Sequence, residues 1–492
     1  MSHHRTVERR LRKVVLLILV GFAVLATLSL ELLPHATRVV HSQAIQNPPG
    51  PEFVPHANSY HITNLVSDIP GIAAIQDPLV VNPWGIGLSP SSPFWLANNG
   101  TGTSSLYRGD AGSIVFFKQP TVPSITIPGD LPTGAVANNS NDFVLTSGTA
   151  SGAARFIFAS LTGNISGWNP NVPAAGSTTA IIARTLGGHS YTGLALADNG
   201  VANFLYAADF LNGRIDVFDS TFTLQSAASF PFADPTIPNV AGNIYHPFNI
   251  QNIGGSLYVE YAKVGAGGDE EPGPGNGYVR RFNPNGVRDL TFGIDSGQLN
   301  APWGVVIAPA SFGVFGGALL VGNFGEGSPS INAFNATTGA FLNSLTDDSG
   351  TPLEIDELWA LTFGNGGNGG DPNTLYFTAG PGDEEHGLFG SVKPVPTPAT
   401  STVQFGSDTY TIGEGSGSIN VTVTRSGDVR GTATVNIATF DESQAGHAAQ
   451  KSDYEIALNT LTFKPGETSK TLTVLLVDDL FVEGDEIINL AL

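Results

Sequence analysis

Six times between residues 82 and 363 the chain repeats one short pattern, an aromatic residue or proline and then a small residue at the head of a strand-like run. The copies are NPWGIGL, LPTGAVA, YTGLALA, HPFNIQN, APWGVVI and ELWALTF. Aligned at Trp84, Thr133, Thr192, Phe248, Trp303 and Trp359, they stand 49, 59, 56, 55 and 56 residues apart. A second strand-like segment follows each opening (FWLAN, FIFAS, LYAAD, LYVEY, LLVGN, LYFTA). A third comes next (SLYRGD, ISGWNP, RIDVFD, YVRRFNP, INAFNATTG, GLFGSVKP), then a less regular fourth such as SITIPG or FLNSLTDD. A four-stranded antiparallel unit cannot bury both faces by itself, so its neighbours in the repeat must cover it. Six such units predict an all-β, six-bladed β-propeller over residues 59–393. A pair of sandwiches or a β-helix fits less well, because of the strict alternation in RIDVFD and the blade-length period.

The sixth copy has no fourth strand behind it, since a Pro-rich linker, 394–400, begins there. The unassigned strand YHITNLVS, ahead of the first copy, is expected to supply that edge and close the ring.

Ahead of the repeats, Arg5, Arg9, Arg10, Arg12 and Lys13 form a basic head, and Val14 to Leu30 run without a charge. That pattern predicts an N-terminal hydrophobic helix over residues 1–45, either a signal peptide cleaved after HSQA at Ala44 or a retained membrane anchor, with 46–58 as spacer. Both readings place the remainder outside the cytoplasm, secreted or at the cell surface. The formal net charge of −21 excludes nucleic acid and anionic membrane surfaces as natural partners and favours cations. With no cysteine in the chain, disulfides and thiolate chemistry are both unavailable.

The third copy, LYAADFLNGRIDVFD, resembles the strands of NHL and SMP-30-like propellers. NPWGI, GWNP and GDEEHGLFG are in addition similar to an uncharacterised family of bacterial secreted propellers. The resemblance covers about two-thirds of the chain and implies a fold but no activity.

Residues 401–492 form a second unit. INVTVTR, ATVNIAT and KTLTVLLV alternate with period 2 and predict an antiparallel Ig-like sandwich. EGSGSINVTVTRSG, SDY, LTFKPGET and VDDLFVEGDE together resemble the Calx-β domain. In calcium-binding members, carboxylates from several loops meet at one end of the sandwich. Carried over, the resemblance implies calcium ligands at Glu414, Asp441, Asp453, Asp478, Asp479 and Glu483, and hard oxygen donors of this kind suit Ca²⁺. Two features depart from the family: DESQAG stands where DGTA is usual, and the chain ends at what would be the penultimate strand. The competing expectation is a structural spacer with an empty site.

In a four-stranded blade, the loop between strands two and three and the inter-blade connection emerge on one face. Two such loops are long and acidic, carrying Asp269, Glu270 and Glu271 in the fourth copy and Asp383, Glu384, Glu385 and His386 in the sixth. They mark an expected ligand face, with ordinary solvated loops as the alternative. The residues just before strand one, Asn82, Leu131, Ser190, His246, Ala301 and Glu357, should ring the channel mouth. Of these, Asn82, His246 and Glu357 could hold a second divalent metal. Trp84, Trp303 and Trp359 read as packing between blades. The chain contains no G-x-S-x-G, HExxH, P-loop or dinucleotide fingerprint.

Together these features predict an exported binding or scaffold protein, calcium-dependent through the Calx-β unit, for an extracellular protein, polysaccharide or small molecule. The alternative is a metal-dependent hydrolase or lactonase of the SMP-30 type working at the channel mouth, by fold analogy.

Overall fold

The small residue in each opening motif has a steric cause. A Cβ on Gly85 would lie 2.6 Å from the carbonyl oxygen of Thr133, one on Gly134 2.5 Å from the amide of Leu194, and one on Gly304 2.5 Å from the carbonyl of Trp359. A Cβ on Gly193 would run into Asn249. Each glycine therefore lets the first strand of one sheet touch the first strand of the next. The other steps use hydrogen bonds: Asn249 Nδ2 donates to the Trp303 carbonyl at 2.7 Å, and Thr378 Oγ1 donates to the Trp84 carbonyl. Gly304→Ala is expected to cost about 1–3 kcal/mol of stability by overpacking, read as a lowered midpoint in denaturant.

The computed structural model describes residues 58–109, 111, 115–395, 401–427, 429, 432–478 and 485–492, together with the strand Arg38–Ser42. The hydrophobic segment 14–30 and nearly all of the 46–58 spacer lie outside the described residues. Among those described there are strands and three short 3-10 turns, and no helix is long and apolar enough to cross a membrane. The chain divides into two units, Glu52–Pro398 and Met1–Pro51 with Ala399–Leu492.

Among the described residues of the first unit, one two-stranded hairpin, Val144–Ser147 with Ala150–Ala153, accompanies six larger sheets that follow one another. Their first strands are Pro83–Gly87, Pro132–Ala137, Tyr191–Asp198, Asn243–Ile253, Pro302–Ile307 and Leu358–Phe363. Each is neighbour to the next, and the sixth is neighbour to the first, which gives a closed, propeller-like ring. The last sheet is completed from the other end of the unit. Tyr60–Ser67 runs antiparallel to Leu388–Pro394, with Tyr60 opposite Pro394 and Ser67 opposite Leu388.

Alternation explains why the second strands read as continuous apolar runs. In Phe94–Asn98, Trp95 and Ala97 pack with Phe156 and Phe158 of the second sheet, while Phe94 and Leu96 pack with Tyr376 and Phe389 of the sixth. Successive side chains point to opposite faces of a strand, and here both faces meet a neighbouring sheet. The three tryptophans of strand one have a more central place than packing between two blades. Trp84, Trp303 and Trp359 gather with Phe210, Phe248 and Phe324 in one aromatic cluster inside the ring, and Trp84 stacks on Trp359 at 3.6 Å. Beside the cluster a cavity of about 350 Å³ is lined by first-strand residues of all six sheets, with Asn139, Gln251, Asn252 and Thr362 among its polar groups.

The second unit contains two sheets. Ser401–Phe405, Ser418–Gly427 and Ser469–Leu475 form one. In the other, the order is Thr409–Ile412, Arg38–Ser42, Asn489–Ala491, Ala433–Phe440 and Leu458–Phe463. Alternate residues of Ser418–Gly427, namely Ile419, Val421 and Val423, face a shared core with Ile437, Phe463, Val474 and Leu490. Arg38–Ser42, part of the segment expected to be a leader, is thus a strand of this unit.

Candidate functional site

Of the six residues aligned at the strand heads, four have left-handed backbones, Asn82 at φ 43°, Leu131 at 49°, Ala301 at 45° and Glu357 at 49°, while His246 lies inside its strand, Asn243–Ile253. Non-glycine residues seldom adopt this region, and asparagine tolerates it best. The hydrogen-bond register also shifts one or two residues later, as between Pro83 and Ile86, Pro302 and Val305, and Leu358 and Leu361. Backbone turn and bulge together re-aim the side chains at the strand heads.

At two of those heads the side chains meet through a third residue. Asn82 Nδ2 donates to Glu384 Oε2 at 2.5 Å, and the Glu384 amide donates to Glu357 Oε2 at 2.7 Å. Asn82 Oδ1 is occupied as well, accepting the Trp359 indole N–H at 2.9 Å. Asn82 and Glu357 are therefore held side by side across the joint between the last and first sheets. His246 is engaged elsewhere. Its Nδ1 donates to the carbonyl of Phe210 at 2.6 Å, its ring lies edge-on to Phe210, and its Nε2 is the atom a Cβ on Gly213 would strike. The expected three-residue metal site thus reduces to Asn82 and Glu357 joined by Glu384, because His246 serves the seam between the third and fourth sheets.

The two acidic loops converge. Burial, then the charges of Glu384 and Asp269, pushes the Glu270 carboxyl up to about 7. Burial, opposed by the Glu384 amide and joined by the charges of Glu384, Asp356 and Asp383, brings Glu357 to about 7. Glu384 is raised by burial and by Asp269, with the Asn82 donor acting against the rise. Glu326, on the corresponding loop of the fifth sheet, is raised chiefly by a hydrogen bond to Asp356 and then by the charge of that neighbour. Glu326, Asp356 and Glu354 border a cleft of about 420 Å³. The remaining loop residues are paired or outward: Glu271 with Lys263 at 2.6 Å, His386 with Asp68 at 2.9 Å, and Glu385 exposed. Glu326 and Asp356 escaped the sequence analysis, although Glu326 sits in GEGS, the loop between strands two and three of the fifth copy.

A second group, also unanticipated, lies in the third sheet. One ligand-type atom from each of His189, Asp209 and Asp216 falls within 4.8 Å of the others, close enough to hold an ion. All four carboxylate oxygens, however, already accept hydrogen bonds. Asp209 receives them from His189, Asn212 and the Ser190 amide, and Asp216 from Tyr191 and Arg214. A cation there would displace an arginine and several donors, so the network reads as a clasp on the turn at 209–214.

In the second unit three loops meet at one end. The Leu476 amide donates to the Gly417 carbonyl and the Val477 amide to the Asp453 carbonyl, both at 3.0 Å. A Cβ on Gly415 would stand 3.7 Å from Asp478 Oδ2. Asp441 Oδ1 accepts the Tyr454 hydroxyl at 2.6 Å and the Gln450 amide at 3.0 Å, and Asp453 Oδ2 accepts the Ala449 amide at 2.6 Å. Asp441, Asp453 and Asp478 thus lie on adjoining loops, next to the backbone of Glu414. Asp479, Glu483 and the Glu414 side chain lie outside the described residues. Carboxylates on neighbouring loops suit a hard cation such as Ca²⁺.

Residues 398–492 match the family described as Calx-beta domain. An uncharacterised protein of Acanthamoeba polyphaga mimivirus is 34% identical over 355 residues, covering 71% of this chain and 84% of its own length. A second uncharacterised mimivirus protein is 31% identical over 370 residues, covering 73% and 92%. Sodium/calcium exchanger 1 of Canis lupus familiaris is 39% identical over 87 residues, which are 18% of this chain and 9% of the exchanger. Among solved structures, one of unknown function from Bacteroides thetaiotaomicron overlies 68% of this chain and 76% of its own, at a TM-score of 0.42 and 11% identity. These two relatives, the mimivirus proteins, each covering more than two-thirds of the chain, are viral, where the sequence resemblance pointed to a bacterial family.

Proposed function

We propose, from the premise that this chain belongs to the family of the two uncharacterised mimivirus proteins, that it is a cation-dependent binding scaffold. Its first unit is read as a six-bladed propeller that presents an acidic face, and its second as a calcium-binding Calx-β domain. The observation that carries the reading is the meeting of the 413–417, 441–454 and 476–478 loops at one end of the sandwich, within the region that matches Calx-β. Like unit charges about 4 Å apart repel by about 1 kcal/mol in water and ~4 kcal/mol at an effective dielectric of 20, and a divalent ion bound between carboxylates reverses the sign.

The acidic mouth of the propeller supplies a second cation-holding surface, suited to bridging an anionic group on an extracellular ligand. The hydrolase alternative drew its third metal ligand from His246, whose Nδ1 is bonded to the Phe210 carbonyl. The working location proposed is outside the cytoplasm.

Limited proteolysis tests the calcium role. With Ca²⁺, residues 401–492 should resist digestion at least several-fold longer than with chelator, and Asp441→Ala should abolish the difference. Equal digestion in both conditions would leave only a spacer.

A further inference from the structure

Among the described residues, Thr409–Ile412 has one strand partner, and that partner is Arg38–Ser42. The two run antiparallel, with Arg38 opposite Ile412, Val39 opposite Thr411, Val40 opposite Tyr410 and His41 opposite Thr409. On its other side Arg38–Ser42 runs parallel to Asn489–Ala491, pairing His41 with Asn489 and Ser42 with Leu490. Asn489–Ala491 is in turn held by Ala433–Phe440. The N-terminal strand is therefore the link that joins Thr409–Ile412 to the rest of its sheet. Without it, one strand loses its ladder and another becomes an open edge. Beneath that edge lie Ile488 and Leu490, both fully buried, with Tyr410 and Ile412 packed against the same core.

An open edge above an apolar core is a template for any extended segment that can complete the ladder. The present occupant is short, and its parallel side has only two residue pairs, the weaker kind of pairing. Covalent attachment to the same chain raises its effective concentration at that edge above that of a free peptide. Its sequence, TRVVHS at 37–42, is rich in β-branched residues that favour an extended backbone.

The structure assigns to this sandwich a strand-acceptor slot, closed in cis by Arg38–Ser42 and open to the same segment of a second copy. The incoming segment would form the same backbone ladder, as in domain swapping. Cutting the chain after Ala44 would turn the intramolecular strand into a dissociable one and free the slot.

Hydrogen exchange on the intact full-length protein reads the slot directly. Amides of 409–412 and 489–491 should exchange at least tenfold more slowly than in full-length protein carrying Val39→Pro and Val40→Pro, since proline removes ladder donors whichever way the strand faces. A fluorescent peptide of residues 36–44, ATRVVHSQA, should bind the double-proline chain at least tenfold more tightly than the intact one. It should also restore slow exchange at 409–412, where a scrambled peptide does not. Equally fast exchange at 409–412 in both proteins overturns the proposal, and that comparison stands even if the prolines unfold the sandwich. Binding of the peptide to neither protein, or to both equally, overturns it as well.

Discussion

Deleting residues 59–67 should abolish the cooperative thermal transition of the first unit, not merely fray one of its edges. The segment supplies Tyr60–Ser67, the strand that completes the sixth sheet from the opposite end of the unit. Tyr60, Leu65 and Val66 are buried, and each such side chain contributes about 1.5–3 kcal/mol. Their sum, about 5–9 kcal/mol, is comparable with the whole stability of a typical domain, about 5–15 kcal/mol. The loss also spreads. Tyr60 packs against Phe312 and Phe315 of the fifth sheet, and its amide donates to the Thr346 carbonyl at 2.8 Å. Leu65 and Val66 pack with Phe94 and Tyr107 of the first. One strand therefore stabilises the joints on both sides of the sixth sheet. All five tryptophans, at 84, 95, 168, 303 and 359, lie in this unit, so their fluorescence reports its melting without interference from the sandwich. A deleted protein that melts cooperatively within about 2 °C of the intact one would refute the closing role of the strand.

That role was legible in the sequence because it is a matter of counting: the sixth copy has three strand-like segments, and one spare segment precedes the first. The convergence of the acidic loops was partly legible for a similar reason, since loops at equivalent repeat positions share a face. What the repeat could not give was side-chain direction at the strand heads. Alignment places Asn82, His246 and Glu357 at equivalent positions, and equivalence suggested that they converge. The backbone at Asn82 and Glu357 is left-handed, however, and such a turn leaves no mark on an apolar pattern. His246 found a nearer acceptor in the Phe210 carbonyl. Arg38–Ser42 was harder still. Five extended residues behind a hydrophobic run look like the tail of a leader, and their partners at 409–412 and 489–490 lie more than 360 residues away. Local pattern cannot encode a pairing of that separation, which depends on a vacancy in a distant sheet.

The acidic mouth should make the first unit less stable as pH rises through the neutral range, and a divalent cation should remove the effect. Glu270 and Glu357 are both brought to about 7, above the ordinary carboxylate value near 4.5, chiefly by burial and then by neighbouring carboxylates. Below about pH 4.5 these groups are protonated whether the chain is folded or not. Between about 4.5 and 7 the folded form keeps protons that the unfolded form releases, so stability falls across that window and levels off above it. Full conversion of such shifts would give about 3 kcal/mol per group. Both side chains are only half-buried, so solvent screening reduces this to about 1–2 kcal/mol each. Groups with the opposite sign act elsewhere on the pH scale. Asp234, paired with Arg280 and Arg288, and Asp289, paired with Arg281, are held below the usual carboxylate range, so their contributions disappear only in acid. Denaturant unfolding followed by tryptophan fluorescence should therefore show a loss of about 2–4 kcal/mol between pH 5 and pH 8 in chelator. Millimolar Ca²⁺ at pH 8 should restore much of it, because an ion can take the place of the displaced protons. The Glu270→Gln, Glu357→Gln double variant should have a nearly flat profile and respond little to Ca²⁺, whatever the sandwich does with the same ion. Equal stability of the intact protein at pH 5 and pH 8 would mean that the carboxylates at the mouth do not hold protons against one another, and the surface would then lose its claim on a cation.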